Sequence, residues 1–173
     1  PSVSAAIVRI DQSVTRLVSA LGAHPPDGSG CVWGSQVPSS ERTMVVATFD
    51  GGSRCEATWR APRSQHRHTW RSGLGIDAQS RLLYSAGSPL TLAHLASTLL
   101  EAGAVGVMQL GVGSGHVNFT LIRPDPAATT GVRASKLIES MPRTATNRLT
   151  QRQRVTFGVV ALPGTAHPSD TSA

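Results

Sequence analysis

Ten acidic side chains in 173 residues are few, so the positions they occupy carry information. Asp50 ends an apolar run at Gly51-Gly52, Glu56 follows shortly after, and Asp77 closes the Gly73-Leu74-Gly75-Ile76 segment. A carboxylate placed in this way can move a proton or steady a developing positive charge. The competing use of Asp beside glycine is to bond its own backbone in a turn. The remaining polar motifs are weaker. His66 and His68 would lie on one side of an extended segment, but no third ligand stands at metal-site spacing, and solvated histidines in a basic loop are the better reading. No ligand cluster asks for a metal, and no cofactor motif stands in the chain. Ser4, Ser72 and Ser114 lack the strand-turn-helix context of a nucleophilic serine. Gly111-x-Gly113-x-Gly115 is spaced like a phosphate-binding loop, yet His116 to Ile122 alternates as a strand where such a loop must open a helix. A glycine hairpin or bulge is the expectation there.

Positive charge is more abundant. Lys and Arg total 16, the formal net charge is +6, and Lys136 is the single lysine. Arg60, Arg63, His66, Arg67, His68 and Arg71 are interleaved with Trp59 and Trp70. Such a run has the ingredients of a polyanion surface, although a solvated loop explains it as well. Arg143, Arg148, Arg152 and Arg154 form a second cluster. Nucleic acid is a poor match, because no groove-reading motif accompanies either cluster. Cys31 and Cys55 fit one bridge or two buried thiols, and the spacing does not choose.

The elements that must hold these residues read as one α+β domain with a mixed, largely antiparallel sheet. No apolar run is long enough to span a bilayer. With 4 % aromatic residues, the core is expected to consist of Ala, Val, Leu and Ile rather than stacked rings. From Ile7 to Leu21 the apolar spacing is close to helical, while β-branched residues in Val3 to Ile10 fit a strand that turns at Asp11-Gln12-Ser13. Gly22 to Ser40 reads as a turn-rich loop, and Thr43 to Phe49 as a strand. Gly73 to Asp77 and Leu82 to Ala86 flank a polar turn and predict a β-hairpin. Leu92, Leu95, Ala96, Leu99 and Leu100, with Thr91 before them and Gly103 after, predict one main amphipathic helix over about 91–102. Val105 to Leu110 reads as a buried strand, and Val117, Phe119 and Leu121 alternate as a half-exposed one. Arg133 to Ser140 reads as a short helix, Val155 to Leu162 as a final strand, and 163–173 as a disordered tail.

Several of these segments together resemble the phosphodiester glycosidase domain family, in its actinobacterial form. The block from Thr69-Trp70-Arg71-Ser72-Gly73-Leu74-Gly75-Ile76-Asp77 through Leu82-Leu83-Tyr84 and Leu90-Thr91 to Met108-Gln109-Leu110 carries the likeness. Val45 to Gly52 is similar to the family's second signature, a strand ending in Asn-Gly-Gly. The likeness runs from about Ile7 to Val160, sets the domain at 1–162, and implies a hydrolase that cleaves a sugar 1-phosphodiester. It further implies Asp50 and Asp77 as acid/base residues and Arg71 as a phosphate clamp. Gly51, Gly52, Gly73, Gly75, Gly113 and Ser114 would then lie against the substrate, and an extracellular or cell-envelope address follows from the relatives.

Three departures from the family pattern stand out. Gly111 occupies the position of a family aspartate, Asp50 replaces an asparagine, and only Ser53 to His68 joins the two signatures, where the family has a longer segment. The alternative these departures favour is a non-catalytic domain that binds an anionic glycan or another polyanion. A shortened middle also makes an oligomer an expectation, because a deleted segment leaves apolar edges uncovered.

Overall fold

A computed structural model describes residues 4–20, 44–50, 66–145 and 156–164. Within them the chain forms β1 (Ser4–Ile10), β2 (Thr15–Ala20), β3 (Val45–Asp50), β4 (Thr69–Asp77), β5 (Leu82–Leu90), α1 (Leu92–Glu101), β6 (Ala104–Val112), β7 (Phe119–Pro124), β8 (Val132–Lys136) and β9 (Thr156–Ala161). The α+β class and the single main helix stand as expected. The strands divide into two sheets, ordered β1-β5-β4-β6 and β2-β9-β3-β7-β8, and every pairing among them is antiparallel.

Of the two readings of the opening segment, the strands prevail. Asp11 turns the chain: its carboxylate accepts from the Ser13 amide at 2.9 Å and the Ser13 hydroxyl at 2.7 Å, and its carbonyl accepts from the Thr15 amide at 3.0 Å. β1 then pairs with β5 in the first sheet while β2 pairs with β9 in the second. The expected hairpin is β4–β5, with Leu74 opposite Tyr84 and Ile76 opposite Leu82.

The core departs from the composition argument. Phe49 stacks on Phe119 with centroids 5.7 Å apart and on Phe157 at 5.3 Å, and Tyr84 of the first sheet lies 4.6 Å from Phe119. The three phenylalanines and the one tyrosine of the chain are thus gathered between the sheets. Scarcity did not disperse them, because large rings fill the roughly 10 Å gap between facing sheets better than alanine or valine can.

The helix covers the other face of the first sheet. Thr91 caps it by accepting from the His94 amide at 3.1 Å, and Gly103, at φ +99°, ends it in the left-handed region that favours glycine. Leu95 and Leu99 are its buried residues. They press on β4 so closely that a Cβ at Gly73 would lie 3.2 Å from each of them and 2.9 Å from the Met108 carbonyl.

Three local expectations are corrected. β6 is a strand, but at the sheet edge it is not buried: Val105 is 70 % exposed and Met108 50 %. Val117 to Thr120 is buried on both faces rather than half-exposed, and β7 lies inside the second sheet between β3 and β8. Val132–Lys136 is a strand and not the start of a helix. Its exposure alternates with period two, Arg133 and Ser135 outward, and it pairs with β7. Cys31, Cys55, the loop 22–40 and the tail 165–173 lie outside the described residues.

Candidate functional site

Four strand ends meet at one end of the molecule. β3 finishes at Asp50, β7 opens beside Asn118, and the Asp50 amide donates to the Asn118 carbonyl at 3.3 Å. The same carbonyl accepts from the Tyr84 hydroxyl at 3.3 Å, which reaches across from the first sheet. β4 brings Ser72, whose Oγ accepts from the Gly111 amide of β6 at 3.0 Å and lies near the Tyr84 phenol. The turn after β6 is tied to this end, since the Gly113 amide donates to the Trp70 carbonyl at 2.8 Å. Gly113 has φ +88°, and Ser114 is exposed in the turn.

This end is both polar and dry. Asp50 is 2 % exposed, while Ser72, Tyr84, Asn118, Thr48 and Thr120 are fully buried. Burial pushes the Tyr84 hydroxyl well above the ordinary phenol range; the Ser72 hydrogen bond opposes this, and the nearby negative charge of Asp50 adds to it. Asn118 Nδ2 donates to Thr120 Oγ1 at 3.2 Å. Asn118 Oδ1 and Thr48 Oγ1 are buried with no hydrogen-bond partner among the described residues, and in a dry interior such atoms carry a cost unless something binds them.

Arg71 reaches the same end but leaves by the opposite face. β4 pairs with β5 without interruption from Arg71 to Ile76, so Arg71 shares the helix-side face with Gly73, and Ser72 points between the sheets. The Arg71 side chain is fully buried and anchored, with Nε donating to the Leu90 carbonyl at 2.9 Å and Nη2 to the Arg67 carbonyl at 3.0 Å. Burial draws its pKa below the usual guanidinium range, and an arginine still stays charged.

Asp77 is elsewhere. Six residues farther along β4, it lies about 20 Å from Arg71 at strand rise. Its carboxylate accepts from the amides of Gln79 at 3.0 Å and Arg81 at 2.8 Å, and from Arg81 Nε at 2.8 Å. Burial would raise its pKa, but the Arg81 and Gln79 hydrogen bonds and the Arg81 charge outweigh that and hold it below the usual carboxylate range. This is the role of a turn anchor. Gly73 and Gly75 are likewise explained by packing: a Cβ at Gly75 would lie 2.8 Å from the Ala104 Cβ. At Gly111 a Cβ would lie 2.0 Å from the His116 carbonyl oxygen, so that position admits no side chain in this conformation. Gly51 and Gly52 lie outside the described residues, as does Glu56.

Sequence reasoning missed Ser72 as a site residue, together with Tyr84, Asn118, Thr48 and Thr120. Alternation in β7 marks Asn118 and Thr120 as a separate face from Phe119, and the available signal was that Thr48 and Thr120 each stand close to a strand end with an Asx residue. His66 and His68 are exposed, and His68 lies 6.1 Å from the ring of His94. Among the described residues no group of three side chains could hold a metal, and no helix is long and apolar enough to cross a membrane.

No family model matches the chain, and no curated protein matches it either. A solved structure of a hypothetical protein from Synechocystis is similar over 66 % of this chain, at 19 % identity and a TM-score of 0.40. The match spans 20 % of that protein's own length.

Proposed function

We propose that the chain is a phosphodiester glycosidase-like hydrolase, with Asp50 as its acid/base residue and the dry end around Asp50, Tyr84, Ser72 and Asn118 as the sugar site. What supports the reading is one buried carboxylate, Asp50 at the end of β3, whose amide donates to the same Asn118 carbonyl that the Tyr84 hydroxyl reaches from the facing sheet. Buried acceptors without a partner, Asn118 Oδ1 and Thr48 Oγ1, suit the hydroxyls of a sugar.

One carboxylate suffices for this reaction class. When a phosphomonoester leaves the anomeric carbon it departs as a stable anion, so the usual proton donor to the leaving oxygen is dispensable. The remaining task is to steady the oxocarbenium-like centre and take a proton from the attacking water, which a single carboxylate can do. Arg71 is anchored on two backbone carbonyls on the opposite face of β4, so it is not the phosphate clamp of this mechanism. Asp77 has no part in this mechanism, being committed to its turn.

The test is sugar release from an aryl sugar 1-phosphodiester by the whole chain. Release that disappears in Asp50→Ala and persists in Asp77→Asn is the expected result. No release above the Asp50→Ala background rejects catalysis.

A second reading is favoured by one observation, the His116 carbonyl filling the space beside Gly111. With no room there for the family's carboxylate, the same end would bind an anionic glycan without cleaving it. Binding that weakens steeply with salt, without turnover, supports that reading.

A further inference from the structure

We propose that β6 is the seam of a two-fold homodimer in which the first sheets of two copies join edge to edge into one continuous sheet. β6 ends its sheet among the described residues, and its nine residues, AVGVMQLGV, contain neither a charge nor a proline. Its pairing with β4 shifts register twice, between Ala104 and Gly106 and between Gln109 and Val112, so Gly106 to Gln109 is the regular, uncharged stretch whose outward backbone groups an extended strand can meet. Proteins ordinarily guard such a stretch with cations or prolines, and the other three edges of the two sheets carry cations. β1 carries Arg9, β2 carries Arg16, and β8 carries Arg133 and Lys136.

The occupant follows from charge and shape. In a chain of net charge +6, copies repel one another wherever cations would meet, and β6 is the edge at which none do. Antiparallel pairing about a two-fold axis at Val107 sets Gly106 opposite Met108 of the partner subunit. Gly106 is open in the monomer: a Cβ there would make one ordinary contact, 3.5 Å from Ile76 Cγ2. Among the described residues the packing leaves the lack of a side chain at 106 unused, while the half-exposed Met108 needs such a hole opposite it. The pairing also covers Val105 and Val107, exposed by 70 % and 42 %. Beside them an apolar groove of about 200 Å³, lined by Leu92, Leu95, Ala96, Leu99, Val107 and Met108, runs between α1 and β6 and would be continued by the partner's strand.

Sedimentation equilibrium of the full chain tests this, alongside circular dichroism. The wild type is expected to be a dimer, and Val107→Lys, which sets two cations face to face at the seam, should weaken association at least about tenfold. Val105→Lys is the second variant, should Val107→Lys lose the native spectrum. Register is read with Val107→Cys in a Cys31→Ser/Cys55→Ser background, where oxidation should join two copies covalently. A wild type that stays monomeric at about 100 µM overturns the proposal. So does open-ended association, or a dimer indifferent to both lysine variants and not cross-linked at 107.

Discussion

The Gly111 amide donates to the Ser72 hydroxyl at 3.0 Å, and both groups are buried. That bond joins the end of an edge strand to the interior of its neighbour at the position where the sheet meets the polar end of the molecule. Removing the hydroxyl leaves a backbone N–H without its acceptor in a dry place. Ser72→Ala should therefore destabilise the fold by about 1–3 kcal/mol, read as a lower urea midpoint at unchanged slope. A change below about 0.5 kcal/mol would mean that water or a neighbour replaces the hydroxyl.

Gly111→Asp returns the family's carboxylate in name only. With a Cβ 2.0 Å from the His116 carbonyl oxygen, the substitution should cost about 3 kcal/mol or more by forcing the backbone apart. The folded fraction, read by circular dichroism, should fall accordingly. An active, stable Gly111→Asp would show that the turn at 113–116 can move aside.

Phe49→Ala should cost about 3–5 kcal/mol, because it opens a cavity at the centre of a ring cluster to which both sheets contribute. Phe49→Leu should cost less than Phe49→Ala. Thermal unfolding of the pair checks the order. Equal losses would mean that the ring's shape and stacking contacts, rather than the volume it fills, carry the stabilisation.

Asp77 predicts a pH dependence. Its carboxylate is held below the usual range by Arg81 and Gln79 against the opposing effect of burial. The stabilisation is therefore present at neutral pH and above the unfolded value of about 3.9, and it is lost as pH falls through the lower folded value. Wild type and Asp77→Asn should differ in Tm at pH 7 and converge towards pH 2–3. A difference that grows on acidification would reverse the sign and refute the assignment.

Gly75 and Gly106 give a contrast within one sheet. Alanine at 75 would press on the Ala104 Cβ at 2.8 Å, whereas alanine at 106 meets only Ile76 Cγ2 at 3.5 Å. Gly75→Ala should lose about 1–3 kcal/mol and loosen the helix, while Gly106→Ala should leave the monomer's stability within about 0.5 kcal/mol. Urea unfolding of the two variants checks this.

What the sequence made legible was local. The β4–β5 hairpin could be read from two apolar runs around a polar turn, and α1 from leucines at helical spacing between a cap and a glycine. Both are set by neighbours a few residues apart. The burial of β6 was misread because a run of apolar residues does not reveal whether a strand stands at a sheet edge, and that of β7 because polar residues such as Asn118 and Thr120 do not reveal that their face is covered too. The short helix at 133–140 was misread because a five-residue strand held by its partner carries little signal of its own. The ring cluster could not be read at all, since Phe49, Tyr84, Phe119 and Phe157 are distant in sequence and meet only when the sheets stack. The candidate site divides in the same way. Asp50 was visible as a carboxylate at a strand end, whereas Tyr84 and Asn118 are joined only by the Asn118 backbone carbonyl, which accepts the Tyr84 hydroxyl across the two sheets. Asp77 looked equally chemical, and the turn that occupies it became apparent only from its hydrogen bonds.

The turn at Asp11 has a mechanical consequence. Backbone passes from one layer to the other within four residues there, so one sheet cannot slide over the other without stretching a covalent tether and tearing the bonds Asp11 makes to Ser13 and Thr15. Cutting the peptide bond after Gln12 would free β1 from that tether while leaving its pairing with β5 in place, turning a stapled stack into one held by side-chain packing alone at that corner.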